Sequence, residues 1–514
     1  MGESRQAKKT ALAAASQEMM QVHTLGGRMH VRWDETAQAT PHGQLVFFAE
    51  FLATAGLFDR WVQGCPLNYS SPNASGKRQV LGTLMLGILA GSRRYAHIAG
   101  VRGDAVAAQA LGINRLVSED SVRRALAAIE PQAGDQWMQT AVMDSVGQAL
   151  DRSWILDVDT TIKPLYGKQQ GAEIGYNPHK PGRPSHALHT FWVGNLRLVL
   201  DAVLTPGKQH AWVHAKAPLE QLLHQLGEHR PVLVRGDCGY GNEGMLAVCE
   251  QQNQAYLFRL RQTKNVKRLI ERLFAREDWT RASDSTQGWQ AIEEQLKLSG
   301  WSKARRVIVL RRQIKQDIAM TAQHEQRQMV LALPHDGIEE SAQVWEYTVL
   351  VSNAPYEIGA IGQLYRDRCD CENGFDELKN QWGWGGFTTQ DMHRSQMTAR
   401  AVALVYNWWS WYVRAANPPA RREALTSRPL LLAAVGRACH HAGQTTLHLT
   451  PMHAETGLIK SMIANVQAAI RHVKAIAQQL PSVDRWATLL HYICRRIVGQ
   501  NGLPTPPPAL AAGG

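Results

Sequence analysis

The sequence predicts a mixed α/β fold with helical regions at both ends of the chain. From residue 153 the apolar pattern changes from a helical period to a strand period. The elements then follow in the order three strands, helix, strand, helix, strand, which is typical of a mixed sheet flanked by helices. At 514 residues the chain is too long for one core, so several domains are expected.

The N-terminal region, residues 1–150, has a helical and basic pattern. Ser118 is a good helix N-cap, and Pro131 is expected to end the helix that follows it. Together with residues 106–114, this helix fits either a helix-turn-helix that reads DNA or a packed helical domain. Both interpretations stay open.

The central region begins at residue 151, and its strand-like runs carry β-branched and apolar residues. The expected strands are 153–162, 187–195, 196–204, 231–237, 255–261 and 346–352, and the expected helices are 217–229 and 243–253.

These elements suggest a division of the chain into regions. The catalytic sheet would lie in two parts, 151–261 and 346–416. Between them, strand-like segments at 304–312 and 328–334 predict a β-rich insertion subdomain at 262–345. Residues 417–500 are expected to be helical and 501–514 to be a disordered tail.

Composition limits the class of partner. The formal net charge of +12 and the isoelectric point of about 9.4 favour a polyanion. Seven cysteines without a CxxC pair favour a reduced cytoplasm over a disulfide scaffold. No signal core and no apolar run of about 18 residues is present, so no membrane partner is expected. The run Cys439 to His441, with His448 and His453, fits either a metal site or ordinary histidines.

The stretch Tyr365 to Lys379 carries four polar side chains in a fixed order. On a continuous helix at about 100° per residue, Tyr365, Arg368, Glu372 and Lys379 share an arc of about 60° beside an apolar stripe. They could be a solvated face with ion pairs, or a catalytic acid with its substrate contacts. The second interpretation requires carboxylate partners for Glu372.

Two aspartates at strand ends are the candidates. Asp159 ends the apolar run WILDVD, and Asp237 ends VLVRGD before a glycine-rich turn. Such carboxylates repel one another unless a cation lies between them. With Glu372 they could hold two Mg²⁺ ions about 3.5–4 Å apart, the arrangement for in-line displacement at a phosphodiester. Asp157 lies on the same strand face as Asp159. It is either the metal ligand in place of Asp159 or a residue that supports the site, for example through a salt bridge to a cation.

The order Asp, Asp, Glu, with Glu372 inside Tyr-x2-Arg-x3-Glu-x6-Lys, resembles the DDE transposases of bacterial insertion sequences, in particular the transposase DDE domain group 1 (insertion-sequence family thirteen-eighty). DTT at 159–161, GDCGYGNEGM at 236–245 and the long stretch 166–189 are similar to further blocks of that family. The resemblance covers about 150–415. It implies an RNase H-like catalytic domain with a β-rich insertion before the glutamate.

The resemblance also implies roles for residues. Asp159, Asp237 and Glu372 would be the catalytic metal ligands for two Mg²⁺ ions, with Mn²⁺ as a substitute. Tyr365, Arg368 and Lys379 would contact DNA phosphates. His179, Lys180 and Arg183 would form a basic arm over the DNA. Trp345 or Tyr347 would stack on a base. Residues 1–150 would bind the transposon ends.

The function expected from the resemblance is cut-and-paste transposition in the bacterial cytoplasm. The enzyme would cleave at the terminal inverted repeats and join them to target DNA, as a homodimer in the DNA complex. Two alternatives are a catalytically silent DNA-binding regulator and a metal-dependent nuclease of repair or defence.

Overall fold

The computed structural model describes residues 19–68, 73–177, 180–281, 288–314 and 344–501. The strand expected at 328–334, His179, and the expected tail beyond residue 501 lie outside the described residues. None of the helices within those ranges is long and apolar enough to cross a membrane.

The strands of the described chain are short to medium in length. They are β1 (Met20–Thr24), β2 (Gly27–Val31), β3 (Ala39–Thr40), β4 (Ile155–Pro164), β5 (Glu173–Ile174), β6 (Pro184–Val193), β7 (Leu198–Pro206), β8 (Leu233–Gly236), β9 (Tyr256–Arg259), β10 (Thr280–Arg281), β11 (Gln290–Leu296), β12 (Arg305–Ile314), β13 (Val344–Ser352), β14 (Val435–His441) and β15 (Gln444–Thr450).

The α-helices lie mainly at the two ends of the chain and after β13. They are α1 (Leu45–Ala55), α2 (Leu57–Gly64), α3 (Lys77–Leu89), α4 (Ala105–Ala110), α5 (Glu119–Ala127), α6 (Pro131–Val146), α7 (Ala211–Leu226), α8 (Glu243–Gln251), α9 (Lys264–Phe274), α10 (Ile358–Arg366), α11 (Cys369–Gln381), α12 (Met392–Ala416), α13 (Ala424–Leu431), α14 (Thr456–Ala477) and α15 (Ser482–Asn501).

A ten-stranded mixed sheet forms the centre of the molecule. Its order is β10-β11-β12-β13-β9-β8-β4-β6-β5, and β7 also pairs with β6. Strand β4 lies antiparallel to β6 and parallel to β8, which is in turn parallel to β9. The prediction of a mixed α/β sheet flanked by helices is confirmed.

The strands of the predicted insertion extend this same sheet. β13 pairs with β12 on one side and with β9 on the other, antiparallel in both cases. The described strands of this segment, β10, β11 and β12, therefore extend the same sheet, because β13 joins β12 to β9. The domain boundaries themselves stay predictions.

Helix α12 is the most buried helix of the fold, and it covers the free edge of β7. The Asn407 side chain accepts a hydrogen bond from the Val199 amide (2.9 Å) and donates one to the Val199 carbonyl (2.7 Å). Its amide also donates to Ser145 Oγ in α6 (2.7 Å). Every polar atom of this buried amide has a partner. At Val199 the helix, rather than a further strand, supplies the hydrogen bonds to the edge of the sheet.

The terminal regions are mainly helical, as predicted, but each also contains a β-hairpin. Ser118 caps α5 by accepting from the Ser121 amide at 3.2 Å, and Pro131 starts α6 directly after it. The expectation of helix alone was wrong for β1–β2 and for β14–β15. Ala442 and Gly443 join β14 to β15 with φ of 48° and 76°, the positive φ pair that a tight hairpin turn needs.

Candidate active site

Asp159 lies within β4, and Asp237 directly follows β8, the parallel strand beside β4. In the β4–β8 register Val158 is opposite Gly236, so the two aspartates occupy the next position along each strand. Adjacent strands are about 4.8 Å apart, and residues at matched positions point to the same face. The carboxylate of Asp237 accepts a hydrogen bond from the Gly239 amide (2.9 Å), which fixes its orientation in the turn after β8.

Arg368 joins Asp159 to Glu372. Its Nη2 donates a hydrogen bond to Asp159 Oδ2, and its Nη1 lies 3.6 Å from Glu372 Oε1. The Arg368 side chain is 6% exposed, whereas that of Glu372 is 66% exposed. Glu372 therefore lies on the solvent side of the Arg368 guanidinium, and Asp159 lies on its buried side.

The charges of Asp237 and Glu372 both act on Asp159. Burial raises the pKa of Asp159 to about 6, Arg368 opposes that shift, and the charges of Asp237 and Glu372 add to it. Asp159 therefore loses its proton less readily than an ordinary aspartate. This is expected for a buried carboxylate that lies near other carboxylates. This convergence was predicted from the sequence.

The helix expected at 365–379 is interrupted. Helix α10 ends at Arg366 and α11 begins at Cys369, so Tyr365 does not share a helix with Glu372 and Lys379. In a continuous helix the Leu364 carbonyl would accept from the Arg368 amide. Here it accepts from Arg235 Nη1 instead, and the Arg368 amide bonds to the Tyr365 carbonyl at 3.1 Å. The expectation of one uninterrupted helix was wrong for this reason, although Asp367 and Arg368 keep helical backbone angles, and the DNA contacts of the four side chains stay a prediction.

Asp157 has a salt-bridge partner of its own. Arg235 Nε and Nη2 donate to its two carboxylate oxygens at 2.6 and 2.7 Å, and both side chains are almost fully buried. The same guanidinium holds the Leu364 carbonyl at the end of α10. This pair therefore holds the end of the helix that leads towards Glu372, and it agrees with the salt-bridge alternative for Asp157.

Tyr365 and Lys379 both lie near the aspartates. Burial raises the pKa of Tyr365 to about 12, and the charge of Asp237 contributes to that shift. Lys379 is exposed; desolvation lowers its pKa, and the nearby charge of Asp159 opposes the change. Tyr365 on α10 and Lys379 on α11 therefore flank the two aspartates.

The basic loop between β4 and β6 presents an aromatic ring that the sequence interpretation missed. Lys180 Nζ and Arg183 Cζ lie 4.9 and 4.7 Å from the centre of the Tyr166 ring, and Lys180 donates to the Tyr166 hydroxyl. Tyr166 is 68% exposed. The signal was its position at the start of the stretch 166–189, directly after β4.

The two aromatic residues proposed for base stacking differ in burial. Tyr347 is 3% exposed and belongs to the core, so the structure does not support a stacking role for it. Trp345 is partly buried, and the Arg311 guanidinium lies 4.6 Å from its ring. Both side chains lie on one strand, but packing covers the Tyr347 ring.

A buried polar chain supports the turn that carries Asp237. Tyr240 hydrogen-bonds to Thr160, whose Oγ1 lies 2.8 Å from His189 Nδ1, and His189 Nε2 lies 2.9 Å from Thr205 Oγ1. Burial lowers the pKa of His189 to about 3 and raises that of Tyr240, so both stay neutral near pH 7. None of these residues was singled out from the sequence, although Thr160, His189 and Tyr240 lie inside the motifs quoted from it.

A metal site is not assembled in this state. Among the described residues there is no group of three His, Cys, Asp or Glu side chains arranged to hold one ion, and this includes Cys439 and its neighbouring histidines. The donor chemistry of the three acids fits a hard divalent cation, since all donors are carboxylate oxygens. Two of the three acids, Asp159 and Glu372, are in contact with the Arg368 guanidinium.

Comparison with known proteins adds a family. A family model described as "Transposase DDE domain group 1" matches residues 27–471. No curated protein matches the chain. A solved structure titled "Cryo-EM structure of piggyBac transposase synaptic complex with hairpin DNA (SNHP)" aligns with 92% of this chain and 87% of that chain, at 9% identity and a TM-score of 0.35. That degree of likeness is too low to carry a conclusion.

Proposed function

The chain belongs to the transposase DDE domain group 1 family, and we propose that it moves a bacterial insertion sequence by a cut-and-paste reaction. The family implies metal-dependent DNA cleavage and strand transfer. The observation that best supports the assignment to residues is that Asp159 and Asp237 each follow the last paired residues of the β4–β8 register, with Glu372 linked to Asp159 through Arg368. These three acids are proposed as the catalytic residues.

The cofactor proposed is Mg²⁺, two ions per site, with Mn²⁺ as a substitute. When bound to the three carboxylates, the ions would lower the pKa of an attacking water or 3′-hydroxyl and neutralise charge on the phosphodiester. The protein's own contribution is to hold two acids on a rigid sheet and the third on α11.

The DNA contacts proposed for this reaction surround the acids. Lys379 presents an ammonium beside Asp159, and Tyr365 lies near Asp237. Lys180 and Arg183 carry exposed positive charge on the loop after β4, around the Tyr166 ring. Cationic groups of this kind bind phosphates without reading sequence.

The partners proposed are double-stranded DNA at two places, the terminal inverted repeats and the target site. A homodimer would bring the two ends together in the DNA complex. Because the substrate is bacterial DNA, the reaction would take place in the cytoplasm, at the nucleoid.

Cleavage and joining of plasmid DNA test the proposed function. The purified full chain with Mg²⁺ should cut a plasmid that carries the inverted repeats and join the released ends to a second plasmid. A nuclease would cut plasmids without the repeats equally well, and a silent regulator would bind but not cut. Either result would contradict the proposal.

The exposed Lys379 gives a prediction about affinity. If Lys379 binds a DNA phosphate, Lys379→Ala should reduce the slope of log K against log salt concentration by about 0.9, because one counterion fewer is released. Fluorescence anisotropy with a labelled duplex at several salt concentrations measures this slope. Lys460→Ala, which removes an exposed lysine from α14, is the matched control and should leave the slope unchanged. Equal slopes for wild type and Lys379→Ala would contradict the contact.

A further inference from the structure

We propose that Arg368 is an internal counter-cation that closes the metal site in the DNA-free protein, and that a DNA phosphate draws it away and so permits metal binding. This inference rests on the proposed function, since it assumes that the three acids bind the metal. It goes beyond that function by assigning Arg368 a role before DNA arrives.

The first support is the position of the guanidinium. One nitrogen of Arg368 donates to the Oδ2 atom of Asp159, and another lies 3.6 Å from a carboxylate oxygen of Glu372. A divalent ion that bridges these acids would need the same oxygens and the same space. A guanidinium and a divalent cation a few ångströms apart repel strongly, so the two are alternatives.

The second support is the contrast between two Asp–Arg pairs on one face of β4. In the inner pair, Arg235 binds both oxygens of Asp157 and also the Leu364 carbonyl, and the side chains are 3% and 1% exposed. In the outer pair, the Asp159 side chain is 16% exposed and Arg368 reaches the exposed Glu372. The inner pair is enclosed on all sides, whereas the outer pair, with Arg368 6% and Asp159 16% exposed, is open to solvent on the side of Glu372.

The third support is the local backbone. Arg368 lies in the turn between α10 and α11, and its amide bonds to the Tyr365 carbonyl independently of its side chain. Rotation of the side chain towards solvent therefore requires no helix to unfold. A phosphate offers the planar guanidinium a bidentate partner as good as a carboxylate. DNA and metal should consequently strengthen each other's binding, because the coupling between two ligands is reciprocal.

Calorimetric titration of Mn²⁺ into the full chain without DNA tests the proposal. Arg368→Ala should bind Mn²⁺ about tenfold or more tightly than wild type, since the loss of a charge-assisted hydrogen bond is typically worth that factor. Adding a duplex of arbitrary sequence should tighten Mn²⁺ binding to wild type by a similar factor and to Arg368→Ala by less than about threefold. Arg368→Gln, which keeps a hydrogen-bonding side chain without charge, gives the same comparison should the alanine variant not fold.

Two controls separate the specific contact from general charge. Lys379→Ala also removes a positive charge near Asp159, since the charge of Asp159 contributes to the pKa shift of Lys379, but Lys379 does not make the direct contact that Arg368 makes with Asp159. It should tighten Mn²⁺ binding by less than about threefold. Asp159→Asn should abolish the binding in every background, which identifies the site.

Three results would overturn the proposal: equal Mn²⁺ affinity in wild type and in the Arg368 variants, no effect of the duplex on wild type, or tightening by Lys379→Ala as large as that by Arg368→Ala. Mn²⁺ binding that does not depend on Asp159 would overturn it as well. Failure of the wild type to cut plasmids with inverted repeats would instead contradict the proposed function, and leaves the Mn²⁺ comparison readable.

Discussion

Asp159→Asn, Asp237→Asn and Glu372→Gln should each lower the rate of strand cleavage by about 10³-fold or more, while affinity for duplex DNA changes little. A bound metal contributes several kcal/mol of transition-state stabilisation, and each 1.36 kcal/mol is about tenfold in rate. Affinity comes mainly from cationic side chains, which these changes leave in place. Single-turnover cleavage of a labelled inverted-repeat duplex, with gel mobility of the same duplex, measures both quantities.

The control for this prediction lies on the same helix. Asp376 is an exposed acid one turn after Glu372, and it accepts a hydrogen bond from Asn380 at 2.6 Å. Asp376→Asn should cleave within about twofold of wild type, because surface changes away from the site are usually small in effect. Near-normal cleavage by any of the three acid variants, or an equally inactive Asp376→Asn, would show that the wrong acids were chosen.

Loss of cleavage in these variants should not come from unfolding. Burial is the main cause that raises the pKa of Asp159, Arg368 opposes it, and the charges of Asp237 and Glu372 add to it, so the charged form of Asp159 is disfavoured on balance. Asn keeps the shape of the side chain and removes this disfavoured charge, so the midpoint of thermal unfolding of Asp159→Asn should equal or exceed that of wild type. Active sites commonly hold such unfavourable charge for the sake of function.

The acids could be predicted from the sequence because strand period and strand ends are local signals. Asp159 and Asp237 each end an apolar run, although only Asp237 follows the end of its strand, since β4 continues to Pro164; the parallel pairing of β4 with β8 brings the two positions together. The break before α11 could not be predicted in that way. It depends on Arg235, which is distant in sequence and takes the Leu364 carbonyl that a continuous helix would use.

The burial of individual side chains was the second property that could not be predicted from the local sequence pattern. Trp345 and Tyr347 share a strand face, and their sequence offers no reason to separate them. In the fold Tyr347 is enclosed, while Trp345 stays partly accessible beside Arg311. The β14–β15 hairpin is a different case, since the threonine-rich sequence of β15 and the Ala442-Gly443 turn were signals for a hairpin that the helical expectation did not use.

The inner pair gives the largest expected change in stability. Asp157→Ala or Arg235→Ala should lower the free energy of unfolding by about 3–5 kcal/mol, because each leaves an uncompensated charge in the interior. Both side chains are at most 3% exposed, so solvent does not screen the loss. Arg235→Ala also leaves the Leu364 carbonyl without its donor and frees the end of α10. Urea unfolding of the full chain, followed by tryptophan fluorescence, measures the change.

The paired replacement decides whether Asp157 is structural or catalytic. Asp157→Leu combined with Arg235→Met removes both charges and keeps the volume, so it should recover much of the lost stability, as buried ion pairs replaced by apolar groups often do. Cleavage should return with it in part, because Asp159 is untouched. A stable Asp157→Asn protein that cannot cleave, beside an active Asp159→Asn, would reverse the assignment. In that case Arg235, rather than Arg368, would be the cation lying against the first metal ligand, and the enclosed pair on β4 would have to open during the reaction.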